Sequence, residues 1–150
     1  MRVEPAAARH RDSSALDPYR PWLIAAAIYN LVAGAAVVFA PTLYFRIVHI
    51  PPPNYLPLWQ VVGMFVLVYS PGYWWASRDP VAHSHLVLIG LLGKILGPIG
   101  FAWSAWAGQL PMVFGVILIT NDLVWWPAFI TFVTKAARLS GGWRVYLLGG

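Results

Sequence analysis

The sequence contains no cysteine. That excludes disulfides, thiolate metal sites, cysteine nucleophiles and peroxidatic thiol chemistry, and says little about compartment. Charge is also scarce: ten basic and five acidic residues in 150, or 10%. A soluble domain carries about a quarter charged residues. No phosphate-binding glycine loop, HExxH helix, GxSxG elbow or DxxD pair occurs, which points away from the enzymes built on those motifs. There is no convincing internal repeat, so no inverted-repeat transporter signature. The basic residues lie in tails and loops rather than in one patch, which argues against nucleic acid as a partner.

What the chain has in excess is apolar and aromatic: 59% hydrophobic residues, with nine Trp, seven Tyr and seven Phe. A membrane-spanning helix needs about 20 mostly apolar residues. Four stretches qualify, at about 22–40, 56–76, 85–107 and 110–134. The first is longer than the core of about 7 to 15 residues typical of a signal peptide, so it reads as a retained span. The pattern predicts an all-α, polytopic membrane protein. A four-helix transmembrane bundle fills residues 22–134, between an N-terminal tail (1–21) and a C-terminal tail (135–150). The N-terminal tail is polar, with Pro, Ser and mixed charge, and reads as disordered.

Charge asymmetry sets the expected orientation. Arg2, Arg9, Arg11, Arg20, Arg78, Lys135, Arg138 and Arg144 fall on one side of the predicted membrane, and only Arg46 on the other. By the positive-inside rule both termini are expected in the cytoplasm.

Two charges remain inside the spans. The stretch GLLGKILGPIG carries Lys94, and NDLVWWPAF carries Asp122. Counted from the hairpin near Gly108, Lys94 lies about 20 Å along span three and Asp122 about 16 Å along span four. Similar depth, neighbouring helices and opposite sign predict that they face each other or share one polar pocket. Pro98 frees the carbonyl of Lys94, and Pro127 frees that of Leu123. Gly93, Gly97 and Gly100 form a small-xxx-small seam suited to close helix approach. Asn30, Tyr69 and Asn121 are expected to join this polar centre, with Gln60 nearer the outer side. Gly97, Pro98, Trp125 and Trp126 are expected to wall it. His83 and His85, two apart, point to different faces of a helix and suggest neither a metal nor a haem site. No metal and no cofactor is assigned.

The patterns YLPLWQVVGMFVLVYSPGY, GLLGKILGPIGF and NDLVWWPAF resemble those of small four-helix bacterial membrane proteins of uncharacterised function. The resemblance covers most of residues 22–134, leaves out the tails and implies a multi-pass protein of a bacterial cytoplasmic (inner) membrane. Some members of such groups carry the label alkyl hydroperoxide reductase, a thiol chemistry that a chain without cysteine cannot perform. A looser architectural likeness is to DoxX-type proteins, associated with quinone-linked redox complexes.

Small size, short loops and the missing catalytic motifs favour an accessory or scaffold subunit of a larger membrane assembly. The expected partners are the lipid bilayer and other membrane subunits or further copies of the chain. The alternative is a carrier or enzyme that holds a small lipid, quinone or isoprenoid in a pocket built on Lys94 and Asp122. An anionic ligand there would take Lys94 as its counter-ion. A cavity around Gly97 would mark that alternative.

Overall fold

The computed structural model describes residues 14–148. These residues form helices and connecting turns, with no strand among them. A lead-in from Ser14 runs into α1 (Arg20–Phe39), followed by α2 (Leu43–Ile47), α3 (Leu56–Arg78) and α4 (Ser84–Trp106). After a turn come α5 (Val116–Asn121), α6 (Trp126–Leu139) and α7 (Trp143–Leu148). Three segments are long and apolar enough to cross a membrane: Ser14–Phe39, Ser84–Trp106 and Met112–Leu139. The fourth expected span, α3, equals α4 in length at 23 residues. It falls short of the other three in apolarity because its last third, SPGYWWASR, has few aliphatic residues.

The N-terminal boundary differs from the sequence reading. The chain is already helical at Ser14, the first described residue, inside the stretch expected to be disordered; residues 1–13 of that stretch lie outside the described residues. Leu16 is buried, and the Tyr19 ring meets Phe132 edge-on at 5.5 Å. Arg20 donates to the carbonyls of Ser77 and Arg78, at 2.6 and 2.8 Å. These contacts cap the end of α3 and extend the helix through polar sequence.

The tightest packing joins α1 to α3, which run antiparallel. Gly34 faces Gly63 and Leu67 so closely that a Cβ on Gly34 would lie 2.7 Å from the Leu67 nitrogen. Polar side chains span the seam along its length. Ser70 donates to the Ala27 carbonyl at 2.8 Å, Asn30 to Val66 at 3.2 Å and Gln60 to Val38 at 2.9 Å. Between helices in lipid such bonds and close backbone contact replace the hydrophobic effect as the cohesive force.

The buried core fills one half of the bundle, the half holding Arg20 and α7. Leu23, Tyr73, Val87, Phe129, Phe132 and Tyr146 are among its members. There α7 folds back so that Tyr146 stacks on His85, ring centroids 4.4 Å apart, while His85 Nε2 contacts the Tyr146 carbonyl at 2.6 Å. Gly141 and Gly142 make this turn possible, with φ of 92° and 116°. Burial pushes the Tyr146 phenol above its ordinary pKa. The opposite half is held by an aromatic cluster of Tyr44, Phe45, Trp59, Phe101 and Phe114. Between the two halves the helices separate.

Candidate functional site: an intramembrane cavity

The last long segment is not one helix. α5 ends at Asn121, Asp122 leaves helical geometry (φ −123°, ψ −62°), and a tight turn over Leu123–Trp125 leads into α6. Proline accounts for part of this. Pro127 has no N–H for the Leu123 carbonyl, which instead accepts the Trp126 N–H one residue earlier. The break itself falls at Asp122, a turn before the proline.

The break frees carbonyls, and side chains take them up. In a continuous helix the Asn121 carbonyl would accept the Trp125 N–H. That N–H goes to the Asp122 carbonyl at 3.2 Å. Lys94 Nζ donates to the Asn121 carbonyl in its place. The Trp125 indole donates to the Thr120 carbonyl at 2.9 Å. On the facing helix, Pro98 frees the Lys94 carbonyl, and the Trp126 indole donates to it at 3.1 Å. So α4 and the broken segment clasp each other through two carbonyls that a regular helix would have kept for itself. Irregular backbone at membrane depth survives only with such partners.

Above this clasp lies a cavity of about 330 Å³. That is at the small end of ligand sites. It reaches from Tyr73 and Gly90 to Trp59 and Phe114. The Tyr73 ring packs against Gly90, where any Cβ would collide with the phenol. This contact brings α3 and α4 together at one end. Beyond it they diverge. Val62 and Phe65 are 48% and 66% exposed, Gly93 and Gly97 are exposed across from them, and all four line the cavity. The cavity therefore opens sideways between α3 and α4.

Lys94, Asp122, Asn121, Asn30, Tyr69 and Gly97 all line it. Lys94 and Asp122 are 5% and 4% exposed and act on each other electrostatically. They do not form a contact ion pair: among the described residues the salt bridge is Asp17–Arg20, at 2.7 Å. Of the two arrangements expected for them, the geometry is that of a shared pocket. Asp122 Oδ1 accepts from Asn121 Nδ2 at 2.8 Å, and the carboxylate makes no capping bond to the turn it precedes.

Four expected site residues lie elsewhere. Gln60 is outside the cavity, committed to the Val38 carbonyl. Pro98, Trp125 and Trp126 do not line it either. The two tryptophans sit behind Lys94, with Trp125's ring centroid 5.8 Å from Nζ. Helical spacing placed them on the face of Asp122, but the break at Asp122 rotates the residues after it. The predicted seam of Gly93, Gly97 and Gly100 is not a helix contact. A Cβ at Gly93 or Gly100 would meet nothing within 4 Å, and one at Gly97 would meet the Asp122 carboxylate at 3.3 Å. Conversely, the sequence reading missed Tyr29, Trp59, Tyr73 and Phe114 as cavity residues. A Tyr73–Tyr69 spacing of four on a helix with pocket-facing Tyr69 was the available signal. Among the described residues no cluster of three or more His, Asp or Glu could hold a metal.

Comparison with protein-family models, curated proteins and solved structures found no match to this chain.

Proposed function

We propose that this chain binds one small amphipathic molecule, of the lipid, quinone or isoprenoid kind, within the membrane. The observation that carries the reading is the cavity itself: mid-bundle, polar at Lys94, Asp122, Asn121, Asn30 and its three tyrosines, apolar over most of the rest, and open sideways at Gly93 and Gly97. A sideways opening suits a ligand that arrives through the bilayer. The molecule is held in a four-span bundle in a bacterial inner membrane. α3 counts as the fourth span because it pairs with α1 from Arg20–Ser77 to Val38–Gln60, so a membrane crossed by α1 is crossed by α3. The end holding Arg20, Arg78 and Arg144 faces the cytoplasm by the positive-inside rule.

The second reading is the accessory subunit. The exposed Gly93, Gly97 and Gly100 favour it, since a partner's helix could lie against that stripe. Native mass spectrometry of the protein, gently extracted from its own host membrane, separates the two. A lone chain carrying one stoichiometric small molecule supports the binder. Reproducible co-purifying subunits with an empty cavity support the accessory role and overturn the binder.

A further inference from the structure

The polar groups on the cavity wall are only partly used. One N–H of Lys94 Nζ goes to the Asn121 carbonyl, and the ammonium lies against Trp125. One N–H of Asn121 Nδ2 goes to Asp122 Oδ1, and one of Asn30 Nδ2 goes to the Val66 carbonyl. Asn30 Oδ1 and Trp59 Nε1 lack a partner but are enclosed by protein, out of a ligand's reach. Asp122 Oδ2 receives no hydrogen bond from the described residues, is not among those enclosed atoms and lies beside Gly97 at the mouth. It is an acceptor on a residue 4% exposed. An acceptor kept from water without a donor is costly, so the partner it lacks is a donor.

Charge narrows the choice. The wall carries one cation and one anion. An anionic head would meet the Asp122 carboxylate, and an ammonium head would meet Lys94. In a low-dielectric site either encounter is unfavourable. A neutral head avoids both. The remainder of the wall, including Val62, Phe65, Val66 and Phe114, suits a hydrocarbon tail. Along α3, from Tyr73 to Trp59, it extends about 20 Å.

Resting on the ligand-binding reading above, we infer that the cavity selects a neutral amphiphile whose head is a hydroxyl donor, an alcohol or phenol, received by Asp122 Oδ2. This reverses the sequence-level expectation that Lys94 serves as counter-ion to an anionic ligand. Lys94 instead secures the broken helix that presents Asp122.

The test uses the full chain in lipid nanodiscs and four probes with one tail: dodecanol, dodecyl methyl ether, dodecanoate and dodecylammonium. Saturable binding is measured above that of empty nanodiscs. Dodecanol is expected to bind about tenfold more tightly than the ether, the worth of one good hydrogen bond. In Asp122→Ala that preference shrinks toward unity while ether binding persists, which a merely unfolded variant would not give. Asp122→Asn, which puts an amide NH2 where Oδ2 stood, supplies the same readout if Asp122→Ala does not fold. Equal binding of alcohol and ether overturns the inference, as does tightest binding of dodecanoate with loss in Lys94→Met. Both outcomes leave the ligand-binding reading standing. Saturable binding of none of the four overturns that reading and the inference with it.

Discussion

The α1–α3 seam and the α3–α4 cleft are both lined with glycine, and they do opposite things. At the seam, Gly34 and Gly63 let two backbones approach until no Cβ would fit. At the cleft, Gly93 and Gly100 face open space. The difference lies in what the partner helix presents. Opposite Gly34, α3 offers another glycine. Opposite Gly90, it offers the Tyr73 ring, which joins α3 to α4 there, while a Cβ at Gly93 meets nothing. Glycine permits close approach without compelling it, and what the facing helix presents decides between a weld and a mouth.

Substitutions should separate the two regions. Gly34→Ala forces a methyl against backbone and is expected to cost about 3 kcal/mol or more, read as a large drop in thermal midpoint in nanodiscs. Retention of the wild-type midpoint would mean that the seam is loose. Next comes the clasp beside the cleft. Lys94→Met strands the Asn121 carbonyl at the helix break and should cost about 2 kcal/mol in denaturant unfolding. Asp122→Leu in the same chain should not recover that loss, because the carbonyl still lacks a donor. Recovery of most of it would instead mark a dominant Lys94–Asp122 ion pair. Trp126→Phe leaves the Lys94 carbonyl without its indole donor and should cost about 1 kcal/mol by the same assay. Smallest is Gly93→Ala, whose methyl meets nothing; the helix should gain about 0.5 to 1 kcal/mol. A loss as large as at Gly34 would erase the contrast between seam and cleft.

Much of this architecture is legible in the sequence, and the failures have physical causes. Long aliphatic runs reveal the spans near 22–40, 85–107 and 110–134 with little ambiguity, but not the helix that already runs through Ser14–Tyr19. Counting residues from the hairpin puts Lys94 and Asp122 at one depth because helical rise is constant. Pro98 exposes the Lys94 carbonyl by covalent structure alone. What takes that carbonyl is a tertiary matter, and Trp126 does so from a helix whose phase depends on the break at Asp122. No local rule places that break a turn before Pro127. Without it, Trp125 and Trp126 are assigned to the wrong face. Gln60 illustrates another limit: a polar residue at the right depth satisfies itself on the nearest free carbonyl, here Val38, and never reaches the pocket. Polarity and depth alone do not tell such a residue from Asn30, which bonds across the same seam and still lines the cavity.

The most direct measurement compares the wild-type chain with Gly93→Leu, both extracted from the host membrane and examined by native mass spectrometry. A Cβ at Gly93 meets nothing within 4 Å, so the fold and its thermal midpoint should persist. The account predicts that the small molecule carried by the wild-type chain is lost. A folded Gly93→Leu chain that keeps that molecule at wild-type occupancy would contradict it.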